Sequence, residues 1–219
     1  MRGITNAQGV GGPYLAETLA PLIRRISLLE NNPPVGSLTQ FDGFDWVVVH
    51  WDTKSECIYL MLKGLYTETS WSDSGHVPYE NSNVKAELLN FEEQMKQRLL
   101  FQTEHLDLSD VLMKDTATDL YSFIPTADEL RQFSLFTQKA FYIGDSGRRS
   151  TAMHCNAIVV NENQRYPWWL SDSSPDFDDG YRVYRCVSHD GSIPLYTMHY
   201  SQVSGNRWGV RPFLRMKMR

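Results

Sequence analysis

Tyr166-Pro167-Trp168-Trp169-Leu170 and Gly209-Val210-Arg211-Pro212-Phe213-Leu214 bracket the stretch whose reading decides the fold. Both blocks are apolar and anchored by aromatic residues, as scaffold is. The segment between them is rich in Tyr, Ser, Asp, His, Arg and Gly, with few aliphatic residues. Tyrosine offers large, stiff, amphipathic contact area, and serine and glycine adapt around it. A rigid frame holding a polar-aromatic insert points to recognition before catalysis. Trp168, Trp169, Trp208 and Arg211 read as scaffold, with Arg211 suited to ordering loop carbonyls or a carboxylate.

Strand alternation inside the insert divides Tyr181, Val183, Arg185 and Val187 from Arg182, Tyr184, Cys186 and Ser188. Val183 and Val187 mark the first set as inward, which leaves Arg182 and Tyr184 on the surface. The candidate ligand-contacting residues are Asp172, Ser174, Asp176, Phe177, Asp178, Arg182, Tyr184, His189, Tyr196, His199, Tyr200 and Asn206. The plainer alternative is the ordinary surface of a Tyr-rich β domain.

Upstream, the chain divides at Asn31-Asn32-Pro33-Pro34. Residues 1–13 hold four Gly with one Asn and one Gln and read as extended or mobile. Leu15, Leu19, Leu22, Ile26 and Leu29 then alternate spacings of four and three, a coiled-coil seam over about two heptads. Pro21 interrupts it, so the helix proper starts at or bends around that residue. The seam serves either self-association, as a trimer through residues 15–29, or packing on its own domain. Residues 1–34 thus read as an attachment or oligomerisation element and 35–219 as the main domain.

That domain reads as α+β. Phe41-Asp42-Gly43-Phe44-Asp45 is a turn between strands, and the β-prone Trp46–Trp51 run pairs with Cys57–Leu62 as a hairpin. Val84, Leu88, Phe91, Met95 and Leu99 form one face of a helix over 83–100. Tyr121–Ile124 is a short strand ended by Pro125. Thr126 and Glu129 form a capping box that opens a second helix running to about Phe136. Short strands follow at 157–160, 168–170, 181–188, 193–198 and 210–216.

These landmarks resemble a family of uncharacterised bacterial and phage domains related to the C-type lectin and formylglycine-generating-enzyme folds. The resemblance rests on Gly43-Phe44-Asp45-Trp46-Val47-Val48, Ser82-Asn83-Val84-Lys85-Ala86-Glu87-Leu88-Leu89-Asn90 and Ile124-Pro125-Thr126-Ala127-Asp128-Glu129-Leu130, followed by Trp168-Trp169-Leu170-Ser171-Asp172-Ser173 and Gly209-Val210-Arg211-Pro212-Phe213-Leu214. It spans about residues 36–217 and departs from the family pattern at Ser171 and Phe213, where an Arg and a small residue are usual. It implies a C-type-lectin-like fold with short twisted antiparallel strands, two helices and long loops. It also implies a receptor-binding role on a phage tail or cell surface, in some members as the hypervariable protein of a diversity-generating retroelement.

Composition narrows the classes. With 21 Lys and Arg against 26 Asp and Glu, the net charge of −5 gives no support to nucleic-acid binding. No window approaches a membrane span, and Met1-Arg2-Gly3-Ile4-Thr5-Asn6 lacks the apolar core of a signal peptide. Location is therefore open, a virion or cell surface reached without that signal included. Cys57, Cys155 and Cys186 are odd in number and widely spaced, which fits reduced, buried thiols.

Formylglycine-generating enzymes use two closely spaced C-terminal cysteines, and this chain offers only Cys186 there. The Glu-Pro-Asn, Gln-Pro-Asp and Trp-Asn-Asp tripeptides of calcium-dependent sugar binding do not occur. Asp176-Phe177-Asp178-Asp179-Gly180 lacks EF-hand spacing and reads as a solvated turn. His154-Cys155 and His189-Asp190 are sequence neighbours, which strands point to opposite faces, so neither is a dyad by itself. The sequence thus points to non-enzymatic recognition of a cell-surface protein or glycan, with no cofactor or metal. The alternatives are an enzyme of the formylglycine-generating type and a purely structural virion or surface subunit.

Overall fold

In the computed structural model, which describes residues 33–102, 107–137, 159–161, 164–173, 181–188, 193, 195–199 and 203–218, an Asp42-Gly43 turn joins β1 (Leu38–Phe41) to β2 (Phe44–Asp52). Both turn residues have positive φ, 50° and 75°. A two-residue turn of that hand matches the twist of the strands it connects. β2 pairs antiparallel with β3 (Cys57–Leu62) across a bulge between Val48 and His50.

The expected hairpin is therefore present, and its uninterrupted Val47-Val48-Val49 run has a cause. Val47 and Val49 enter one buried cluster with Met61, Leu130 and Phe133, while Trp46 and Val48 enter another with Leu60, Phe91 and Met95. A sheet covered on both faces has no polar side to alternate with. Cys57 lies in the same sheet, and burial pushes its thiol up to about 11.

The described residues form a mixed α+β fold. After β4 (Thr67–Thr69) and the 3₁₀ turn Tyr79–Asn81 comes α1 (Asn83–Gln102). Next are α2 (Leu108–Val111), β5 (Leu112–Met113), β6 (Ser122–Phe123), α3 (Ala127–Gln132) and α4 (Ser134–Thr137). The remaining strands are β7 (Val159–Asn161), β8 (Gln164–Tyr166), β9 (Trp168–Ser173), β10 (Tyr181–Val187), β11 (Leu195–His199), β12 (Trp208–Val210) and β13 (Phe213–Lys217). One sheet has the order β1-β2-β3-β13-β5, with β6 also on β13. The second has the order β11-β10-β9-β12-β4, and β7 pairs with β8 alone.

α1 ties the two sheets together. Val84 and Leu88 pack with Trp71, Trp169 and Tyr184 under the second sheet, and Phe91 and Met95 pack under the first. Glu92 is buried on the same helix and accepts the Tyr121 and Ser122 N–H groups at 2.8 and 3.3 Å, with Lys96 3.2 Å away. The carboxylate thereby satisfies the N–H groups of Tyr121 and of Ser122, where β6 begins. No described helix is long and apolar enough to cross a membrane.

Two expectations need correction. The second helix ends at Gln132, because Phe133 turns to an extended ψ of 133° and the chain restarts as α4. Its start is as read, with Thr126 and Glu129 forming the capping box. The single strand expected over 210–216 is two strands in different sheets, separated at Arg211-Pro212. Proline has no N–H to continue the ladder, so the crossing falls there. The N-terminal helix and its trimer seam at residues 15–29 lie outside the described residues.

The Asp42-Gly43 turn also carries a pH dependence. Asp42 is 7% exposed, and neither carboxylate oxygen has a hydrogen-bond partner among the described residues. Burial pushes its carboxyl up to about 7, against the pull of Arg98, whose guanidinium donates to the Asp42 carbonyl at 3.3 Å. A raised carboxyl pKa means that the folded state holds the proton more tightly than the unfolded chain does. Its stabilising contribution is complete below pH 3.8 and is lost as pH rises through about 7. Full linkage amounts to about 4 kcal/mol, and solvent screening at a turn reduces it to roughly 2 kcal/mol. Asp42→Asn keeps the positive-φ preference and removes the charge. It is expected to stabilise the protein by about 2 kcal/mol at pH 8 and by far less at pH 4, as read by urea unfolding. Equal effects at both pH values would refute the buried carboxyl.

Candidate functional site

The polar-aromatic insert enters the second sheet as β10 and β11, and its two flanking blocks become β9 and the β12–β13 crossing. The base of this region is rigid for identifiable reasons. Trp168 and Trp169 are fully buried on opposite sides of β9, Trp168 against Phe213 and Trp169 against Trp71 and Tyr184. The Trp169 indole donates to the Thr69 carbonyl at 2.9 Å, and its ring lies 4.2 Å from that of Trp208. β9 and β12 run parallel at Trp168 and Gly209, where the Gly209 N–H meets the Pro167 carbonyl at 2.9 Å. Leu65 fills the space in which a Cβ at 209 would stand, so any larger residue there must displace the Leu65 side chain.

Arg211 has the role read for it. It is 2% exposed, and it donates through Nε to the Leu62 carbonyl at 2.8 Å and through Nη2 to the Lys63 carbonyl at 3.0 Å. Its guanidinium lies 5.4 Å from the centre of the Trp168 ring. Burial lowers its pKa to about 9, which leaves it cationic at neutral pH.

Apart from Tyr184, the candidate contact residues fall into three groups. Arg182 lies on β10 opposite Met198, Tyr196 on β11 opposite Tyr184, and His199 opposite Tyr181. Asp172 and Asn206 are partly exposed, on β9 and just before β12. Ser174, Asp176, Phe177, Asp178, His189 and Tyr200 lie outside the described residues.

Asp172 is engaged within the protein. Its Oδ2 accepts the Ala127 N–H at 2.6 Å, at the start of α3, with Arg185 3.7 Å away. Burial raises its carboxyl pKa, while the Ala127 N–H and Arg185 oppose the rise. β9 is thereby fastened to α3, also through the Ser171 N–H on the Pro125 carbonyl at 3.1 Å.

Tyr184 is the clear correction. Alternation places it outside, yet it is fully buried, with its ring 4.9 Å from Trp71 and its hydroxyl 2.8 Å from His76 Nδ1. Two features defeat the alternation rule. Cores on both sides of the sheet bury Tyr184, Cys186 and Val187 alike. In addition, the β9–β10 register slips between Tyr184 and Cys186, which pair with Ser173 and Trp169. His76, which satisfies the phenol, comes from a loop 108 residues away. Nothing in its local sequence marks it.

Cys186, the cysteine that the enzyme alternative would employ, is buried in the same strand, and Cys155 lies outside the described residues. Among the described residues, no group of three or more His, Cys, Asp or Glu is arranged to hold a metal ion. Compared with known proteins, the chain matches no family model, no curated protein and no solved structure.

Proposed function

We propose that the chain is a non-enzymatic recognition module of C-type-lectin-like architecture. It contacts a cell-surface protein or glycan through the region of β10 and β11, as a receptor-binding protein of a phage tail or bacterial surface. The observation that carries this reading is the place of that ribbon. Among the described residues, β11 forms the free end of a sheet whose inner strands are pinned by Trp168, Trp169 and Trp208. Contact residues on a clamped base keep their geometry while neighbouring residues vary, which suits recognition. The lectin-like reading draws support from short, mostly antiparallel strands and from β13 returning to pair with β3 of the N-terminal hairpin.

The test compares the wild-type chain with the triple variant Arg182→Ala, Tyr196→Ala, His199→Ala. Both are labelled and offered to arrayed bacterial surface glycans and to intact bacterial cells. Saturable binding by the wild type, weakened about tenfold or more in the variant, is expected. Equal binding by the two proteins, or no binding by either, would reject the reading.

A further inference from the structure

Arg98, exposed on α1, lays its guanidinium over the whole β1–β2 turn. It donates to the Asp42 carbonyl at 3.3 Å and stands 4.5 Å from the centre of the Phe44 ring. A Cβ at Gly43 would meet its Nη1 at 3.3 Å, so the glycine leaves room for this cover. Phe44 packs in turn on Trp46 and on Phe91 of α1, with ring centroids 6.4 and 5.2 Å apart. The Trp46 indole donates to the Phe41 carbonyl at 3.0 Å, from one side of the turn to the other.

One group is left out of this arrangement. The guanidinium bonds the carbonyl of Asp42 and not its carboxyl, whose two buried oxygens have no hydrogen-bond partner among the described residues. A carboxylate removed from water without a hydrogen bond or a counter-ion is costly enough that the group keeps its proton instead. Its charge therefore cannot form where the side chain now stands. The neighbouring charges on the first sheet are already used. Asp45 of β2 accepts from Gln40 at 3.1 Å and lies 3.7 Å from Lys63, just past β3. The charge that acts on Asp42, among the described residues, is that of Arg98.

We propose that Asp42 and Arg98 form a pH-operated latch on the β1–β2 turn. In the closed state Asp42 is protonated and buried, and Arg98 covers the turn from the Asp42 carbonyl to the Phe44 ring. In the open state the ionised carboxylate turns outward and draws the guanidinium off both, as a surface ion pair. The exchange needs no outside partner, because Arg98 is exposed and already bonded to the same residue. Burial pushes the Asp42 carboxyl up to about 7, so the proton leaves, and the latch opens, as pH rises through neutrality. Opening takes the cation off Phe44 and loosens the contact of β2 with α1 at Phe91. An exposed ion pair recovers only a small part of the lost energy. The stability lost above neutral pH thereby acquires a structural counterpart, a second position for Arg98.

The test is carbon-detected and proton-detected NMR of the full chain from roughly pH 5 to pH 9. It follows the Asp42 carboxyl carbon, the Arg98 Cζ carbon and the Trp46 indole N–H. All three are expected to shift in one step with a common midpoint near 7. Asp42→Asn should remove the step at Arg98 and Trp46. Arg98→Gln deletes the counter-ion and should move the Asp42 midpoint up by about one unit. Arg98→Lys keeps the cation and should bring the midpoint back. The latch is overturned if Arg98 Cζ stays still while the Asp42 carboxyl titrates, since ionisation then occurs without exchange. It is equally overturned if no step appears, if the step survives in Asp42→Asn, or if Arg98→Gln leaves the midpoint unmoved.

Discussion

Tyr184→Ala is expected to lower the unfolding free energy by about 3–5 kcal/mol, the range for deleting a large aromatic side chain from a core. Its ring is enclosed by Trp71 at 4.9 Å, His76 at 5.9 Å and Trp169 at 6.3 Å. Removing it empties the centre of the cluster that joins the second sheet to α1. Tyr184→Phe keeps the ring and loses the hydroxyl with its bond to His76 Nδ1, a change of about 1 kcal/mol. Urea unfolding with a tryptophan fluorescence readout separates the two variants, because Trp71 and Trp169 adjoin the site. A loss under about 1 kcal/mol for the alanine variant would return Tyr184 to the surface and restore the alternation reading.

That alternation failed along β10, at Tyr184 and Cys186, and at Ser188 just beyond it, says what kind of signal the sequence carries. Features set within a few residues were legible: the Asp42-Gly43 turn, the Trp46–Leu62 hairpin, the apolar face of α1 and the Thr126–Glu129 capping box. Each is a local choice whose physics is complete in one segment. Arg211 was also legible, because an arginine between two apolar blocks must be buried with acceptors or not at all.

Features settled by partners far along the chain were not legible. The inward turn of Tyr184 depends on His76 and on a register slip in β9. The buried Glu92 depends on Tyr121 and Ser122, about thirty residues on. A cleft lined by Tyr79, Asp115, Glu129 and Ser171 likewise draws on four separate segments, and in sequence Glu129 shows only its capping role. Of the candidate contact residues, the strand positions of Arg182 and Tyr196 followed from β propensity, while β11 runs one residue past the expected end to include His199. The engagement of Asp172 with Ala127 did not, since it needs α3 beside β9.

The crossing at Arg211-Pro212 is where a single change should reach both sheets, and Arg211→Ala is expected to destabilise by about 3–5 kcal/mol. The wild-type side chain is buried in charged form, a state that persists only because its donors meet acceptors. Two of these are the Leu62 and Lys63 carbonyls, at the point where the chain leaves β3 toward β4. β12 belongs to the second sheet and β13 to the first, so the guanidinium holds the end of β3 against the residue that links the sheets. Alanine would leave those carbonyls buried without these donors and open a cavity beside Trp168, two penalties that add. Arg211→Lys retains the charge but offers no planar fork to reach both carbonyls at once, so it should recover less than half of the loss. Arg211→Met tests the opposite term, because it fills the volume without a charge to desolvate. If the methionine variant is as stable as the wild type, packing alone holds the crossing and the carbonyl bonds contribute nothing net. If it falls near alanine, the bonds hold the two sheets together. Thermal unfolding followed by near-ultraviolet circular dichroism reads the outcome directly, through the asymmetric environment of Trp168 and Trp169.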